Sequence, residues 1–223
     1  MKNIELHRFI DHTLLKPEAK ENDIIRLCDE AKKYDFWSVC VNTHYVPLVK
    51  SQVKGTGIKV CSVSGFPLGA VNSLVKAFEA ERAVSDGADE IDMVLNIGAL
   101  KSGREKYARD DIKKVVKACA GEAIVKVIIE AALLSEEEKR EACLIAVDGG
   151  ASFVKTSTGF GPPGANVHDV EIMRETVGDN FGVKASAGIR TAKKALELIE
   201  AGADRIGASA GVKIIEEFRT GDF

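Results

Sequence analysis

Eight short, mostly β-branched runs alternate with helical stripes along the whole 223-residue chain. The runs fall at residues 10–14, 37–41, 58–63, 90–94, 124–129, 153–156, 183–186 and 205–208. Each is compact and bounded by glycine or turn residues, the pattern of strands buried on both faces. Between them apolar residues recur with helical spacing. Val71, Leu74, Val75 and Phe78 form one stripe, Ile112, Val115, Val116 and Cys119 a second, and Ala192, Ala195, Leu196 and Ile199 a third. Each is expected to pack onto the sheet. Ser135 with Glu138 reads as a capping box, and Asn166 with Asp169 as a weaker helix start.

A small signature recurs where helices end and strands begin: Asp86-Gly87-Ala88-Asp89, Asp148-Gly149-Gly150-Ala151 and Ala201-Gly202-Ala203-Asp204. Glycine there is the expected helix C-cap before a short loop. No linker or composition shift interrupts the repeats. The class is α/β. The pattern predicts one domain over 1–223, a closed parallel (β/α)8 TIM barrel with a short N-terminal helix. An open doubly wound sheet is the alternative, but no GxGxxG turn follows the first strand.

Composition narrows the function. A net charge of −3 gives no reason to expect nucleic acid as a partner. No apolar stretch is long enough to span a bilayer, so no membrane partner is expected. The first seven residues carry no apolar leader core, which points to the cytoplasm. The five cysteines form no CxxC pair and read as reduced thiols. The four histidines are scattered without a ligand motif, so no metal site is predicted.

Barrel sites lie at the C-terminal ends of the strands. The polar residues on the runs are therefore the candidates: Asp11, Asp92, Lys126 with Glu130, Lys155 and Lys184. A charge under the helix layer is costly, so the barrel centre near the mouth is the better place for them. Lys126 and Glu130 share a strand face and read as a neutralising ion pair. Lys155 and Lys184 do not read that way. Two lysines on adjacent strands repel, and one carboxylate cannot satisfy both cheaply. That arrangement favours a neutral, nucleophilic amine suited to carbonyl chemistry.

Two loops are suited to an anion: Ser186-Ala187-Gly188-Ile189-Arg190 and Gly207-Ala208-Ser209-Ala210-Gly211. Small residues let backbone N–H groups approach it, and a following helix N-terminus adds its dipole. Gly159 and the Gly161-Pro162-Pro163-Gly164 loop offer a third wall.

Seven segments together resemble the deoxyribose-phosphate aldolase family, class I aldolases of the (β/α)8 fold. They are Asp11-His12-Thr13-Leu14-Leu15-Lys16-Pro17, Ser62-Val63-Ser64-Gly65-Phe66-Pro67-Leu68-Gly69, Glu90-Ile91-Asp92-Met93-Val94-Leu95-Asn96, Lys126-Val127-Ile128-Ile129-Glu130, Phe153-Val154-Lys155-Thr156-Ser157-Thr158-Gly159, Val183-Lys184-Ala185-Ser186-Ala187-Gly188-Ile189-Arg190 and Gly207-Ala208-Ser209. They span nearly the whole chain.

The resemblance implies reversible cleavage of 2-deoxy-D-ribose 5-phosphate to acetaldehyde and D-glyceraldehyde 3-phosphate, without a cofactor. Lys155 is then the Schiff-base lysine. Lys184 perturbs it and takes part in proton transfer, and Asp92 gives or takes a proton through a water. Thr158, Gly159, Gly188, Gly207 and Ser209 would hold the sugar phosphate. Asp11, Lys126, Thr156, Ala187 and Arg190 would support the site. A homo-oligomer, dimer or tetramer, is expected with it. Two departures stand out. Phe160 replaces a lysine of some relatives, and Ala187-Gly188 replaces a glycine pair. The first removes a charged contact, and the second narrows the phosphate pocket. A related Schiff-base aldolase of different aldehyde or sugar-phosphate specificity is the alternative, since pocket walls set specificity.

Overall fold

The computed structural model describes residues 4–161 and 163–221. Residues 1–3, where the leader question falls, and Pro162 of the third loop lie outside them. Eight parallel strands close into a barrel in sequence order: β1 Ile10–Leu14, β2 Ser38–Val41, β3 Lys59–Ser64, β4 Glu90–Val94, β5 Ile124–Ile128, β6 Phe153–Lys155, β7 Gly182–Ser186 and β8 Arg205–Ala208. Each matches an expected run to within one or two residues. β8 returns to pair with β1, placing Gly207 beside Asp11.

The helices are α1 Glu21–Tyr34, α2 Val46–Gln52, α3 Ser73–Ser85, α4 Ile97–Lys101, α5 Glu105–Ala118, α6 Glu136–Asp148, α7 Val167–Val177, α8 Ala192–Glu200 and α9 Gly211–Thr220. The short N-terminal helix is a single 3-10 turn, Leu6–Phe9. Ser135 and Glu138 form the capping box that starts α6, and the Asn166 side chain accepts from the Asp169 N–H at the start of α7. One apolar layer, filled by Ile91, Met93, Val127, Val154, Val183 and Ile206 among others, seals the sheet against the helices.

One helical stripe is reversed. Ile112, Val115 and Cys119 are buried as expected, and so are Ala192, Ala195 and Leu196. Val71, Leu74, Val75 and Phe78 instead face outward, with Leu74 and Phe78 each 69 % exposed. The inward face of α3 is Ser73, Lys76, Ala80 and Ala83. These residues have the same helical spacing in the opposite phase. The small side chains of Ser73, Ala80 and Ala83 let α3 approach α5. Lys76 then reaches through, donating to the Asp111 carboxylate at 2.6 Å and to the Val94 carbonyl at 2.8 Å. A fully buried ammonium needs such partners, and α3 turns the lysine inward at the expense of its apolar stripe. No helix of the described residues is long and apolar enough to cross a membrane.

Candidate active site

Alternation along each strand sends every second side chain into the barrel. Glu90 and Asp92 share that inward face on β4, and Lys126, Lys155 and Lys184 occupy the third positions of β5, β6 and β7. Strand register sets Asp92 beside Lys126 and Lys155 beside Lys184. The result is a column of buried charge along the barrel axis.

Asp92 is its hub. Its Oδ2 accepts from Lys155 Nζ and from Lys184 Nζ, each at 2.8 Å. Its Oδ1 accepts from Lys126 Nζ at 2.8 Å and from the Cys61 thiol at 3.3 Å. One carboxylate therefore does serve both lysines, contrary to the expectation from strand spacing. It can do so because a second carboxylate backs it: Lys184 also donates to Asp11. Asp11 lies inside β1, not at its end, and takes further bonds from Arg205 at 2.9 Å and the Ser38 hydroxyl at 2.7 Å.

The ion pair expected between Lys126 and Glu130 does not form. Lys126 pairs with Glu90 at 2.5 Å and with Asp92. Glu130 lies past the end of β5 in a left-handed conformation, where strand alternation no longer sets its direction. Its carboxylate turns to Thr158. Glu90 and Arg205 are members of the column that sequence reasoning passed over. The signal was present: Glu90 stands two residues before Asp92, and Arg205 two before Gly207, on the same strand faces.

Burial opposes ionisation of Asp92. Lys126, Lys155 and Lys184 outweigh it and hold the carboxyl well below the usual carboxylate range. Burial likewise disfavours the Lys184 ammonium, but Asp11 and Asp92 hold it well above the usual lysine range. Asp92 is thus a committed anion and Lys184 a committed cation. Lys126 is raised in the same way, against its burial, chiefly by Asp92. Cys40, Cys61 and Asp92 converge closely enough to hold a metal ion, as do Asp11, Cys61 and Glu90. Their carboxylates are already engaged by ammonium groups, which fill the places a cation would take.

Above the column a cavity of about 380 Å³ opens at the barrel mouth. Lys155, Thr158, Gly159, Ala187, Gly188, Arg190, Gly207 and Ser209 all line it. Asp92, Lys184, Asp11 and Lys126 lie beneath, fully buried. Thr156 stands behind the wall, its hydroxyl donating to the Ser186 carbonyl at 3.2 Å and accepting from the Ser186 N–H at 3.0 Å. Lys16 and Phe160 also line the cavity. Phe160 meets Phe66 edge to face with ring centroids 5.3 Å apart.

Ala187 and Gly188 both adopt positive φ, 71° and 74°, which is costly only for the alanine. Gly207 has a different reason to lack a side chain. A Cβ there would stand 2.9 Å from Ser186 Cβ and 3.0 Å from Lys184 Cε. The glycine therefore clears the path of Lys184. α9 begins just after Ser209, and its N-cap, Ala210, supplies no side-chain bond to the first turn. Its leading N–H groups are left for another acceptor.

The model of the DeoC/LacD family aldolases matches residues 7–217. The chain belongs to that family. A deoxyribose-phosphate aldolase of Clostridium tetani is 58 % identical over 96 % of this chain and 99 % of its own. A solved aldolase designated QR15 superposes with a TM-score of 0.93 at 40 % identity, covering 98 % of both chains. The deoxyribose phosphate aldolase of Aeropyrum pernix, described as a unique tetrameric structure, gives a TM-score of 0.90 at 35 % identity, over 96 % of this chain and 91 % of its own. The (β/α)8 aldolase fold expected from the resemblance is therefore the observed one.

The charge column makes a pH-dependent contribution to stability. Asp92→Asn leaves buried ammonium groups without their shared anion, at a cost of about 3–5 kcal/mol near neutral pH. The Asp92 carboxyl is depressed in the fold. Its contribution is therefore complete above the unfolded value of about 3.9 and is lost as pH falls toward the folded value. Urea midpoints of wild type and Asp92→Asn should differ by a constant amount from about pH 5 to pH 8 and converge below about pH 4. A gap that persists unchanged into acid would mean the carboxylate is not engaged.

Proposed function

We propose that this aldolase cleaves 2-deoxy-D-ribose 5-phosphate reversibly to acetaldehyde and D-glyceraldehyde 3-phosphate through a Schiff base on Lys155. The observation that carries this reading is the sharing of Asp92 Oδ2 between Lys155 and Lys184, directly beneath the cavity. Lys155 is the lysine of the column that borders the cavity. Lys155, paired with Asp92, gives up one proton as its amine adds to the C1 aldehyde; that proton goes to the carbinolamine hydroxyl, which leaves as water and gives an iminium. That iminium is a cation, so Asp92 keeps its partner through the step. The C3 hydroxyl proton passes through a water to Asp92, the ionised acceptor. The C2–C3 bond breaks, releasing glyceraldehyde 3-phosphate and leaving an enamine. Lys184 gives a proton to C2 and takes back the one held by Asp92, which it contacts at 2.8 Å, and hydrolysis of the iminium frees acetaldehyde.

The phosphate fits at the other end of the cavity. Gly188, Ser209 and the uncapped start of α9 offer N–H groups there. Lys16 and Arg190 on the lining supply positive charge, which offsets the lysine missing at Phe160. Residues 1–223 act as one barrel domain in the cytoplasm, with a sugar phosphate as substrate and neither nucleic acid nor membrane as partner. Deoxyribose 5-phosphate cleavage, followed by the glyceraldehyde 3-phosphate formed, should be undiminished after exhaustive chelation. Activity abolished by EDTA and restored by a divalent ion would reject Schiff-base catalysis.

We also infer a homo-oligomer of two or four copies. The reversed stripe of α3 supports it: Leu74, Val75 and Phe78, continued by Leu68 and Val71, are all exposed. Adjoining apolar side chains of this size mark an association surface. The tetrameric Aeropyrum pernix relative agrees with that reading. Phe78→Asp should lower the mass seen by sedimentation at equal concentration. A wild type that sediments as a monomer, or a variant of unchanged mass, would count against this face.

A further inference from the structure

Glu130 lies outside the charge column, yet it is buried. Its backbone is left-handed, at φ 50° and ψ 62°, a conformation strained for any residue with a side chain and characteristic of functional positions. Its carboxylate forms no ion pair among the described residues, and Oε1 is buried without a partner. Among the described residues, what the carboxylate does hold is Thr158. Oε2 accepts from the Thr158 hydroxyl at 2.5 Å and from the Thr158 N–H at 3.2 Å. The same hydroxyl accepts from the Phe160 N–H at 3.2 Å. A buried, strained, unpaired carboxylate is an expensive way to fasten one threonine. What it fastens is the cavity wall that begins three residues after Lys155.

We propose that Glu130 is a positioning residue for the aldolase reaction. It fixes residues 158–160 in the shape that receives the phosphorylated end of the substrate. This rests on the function proposed above. It also revises the part played by Thr158. Both of its donors are turned to Glu130, so Thr158 shapes the wall and carries the bond onward to Phe160 without donating to the phosphate. The gain is preorganisation: the wall holds its form before substrate arrives and need not be ordered on binding.

Glu130→Ala should raise KM for deoxyribose 5-phosphate by about tenfold, the effect of losing a charge-assisted hydrogen bond. Its kcat should change much less. Glu130→Gln keeps an oxygen acceptor for Thr158 and should restore KM to within about threefold of wild type. Thr158→Val should resemble Glu130→Ala, and the double variant should add little, since both remove one contact. Calorimetric binding of glycerol 3-phosphate should weaken in the same order. If Glu130→Ala does not fold, Glu130→Gly, which accepts left-handed backbone freely, carries the same comparison.

Equal damage from Gln and Ala, additive effects in the double variant, or a loss of kcat with KM unmoved would each overturn the proposal. A wild type that binds glycerol 3-phosphate but cleaves nothing would refute the aldolase reading, while the binding series still judged Glu130. A wild type that neither binds nor cleaves would overturn both.

Discussion

The structure depends on one buried carboxylate. Asp92 receives the Nζ groups of three lysines from three strands. Taking a charge out of water is costly, and a lone lysine on a core strand would be forced to neutralise or to unfold the strand. Three lysines become tolerable because β4 holds a carboxylate among them, with Asp11 and Glu90 backing it from below. The column comprises four cations, Lys126, Lys155, Lys184 and Arg205, and three carboxylates, Asp11, Glu90 and Asp92. The excess is positive, and it lies beneath a cavity suited to an anionic sugar. A field of fixed charges that needs no rearrangement as the proposed iminium forms is the kind of environment that lowers a barrier.

Much of this was legible in the chain. β-branched runs gave all eight strands, because a strand buried on both faces has few other compositions. The cost of a charge beneath the helix layer, not strand alternation, pointed Asp92, Lys155 and Lys184 to the barrel centre. Alternation did contain Glu90 and Arg205, which went unnoticed because each opens its strand and resembles a surface residue there. Other features were hidden for physical reasons. The stripe of Val71, Leu74, Val75 and Phe78 has a true helical period, but period does not fix phase. The buried Lys76–Asp111 pair decides which face of α3 turns inward. Glu130 follows the parity of Lys126 only while the strand lasts, and the backbone leaves β geometry before reaching it. Gly207 looks like an anion-binding glycine, whereas the nearest atoms its side chain would meet include Lys184. Sequence shows where a small residue is needed, not what it makes room for.

In the proposed reaction the two ends of the cavity divide the work. Its floor is rigid electrostatics, built from strands whose register is fixed by a closed barrel. Its rim is loops, where Ala187 and Gly188 turn left-handed and α9 presents an uncapped end. Chemistry placed on strands and recognition placed on loops can vary independently. Phe160 illustrates this: it alters the rim and leaves the reacting groups untouched.

The central claim is that Lys155, and no other lysine of the column, forms the Schiff base. Borohydride reduction in the presence of acetaldehyde, followed by peptide mapping, tests it directly. The account predicts a reduced two-carbon adduct on the peptide containing Lys155. An adduct on Lys184 or Lys126, or none at all from active enzyme, would contradict it.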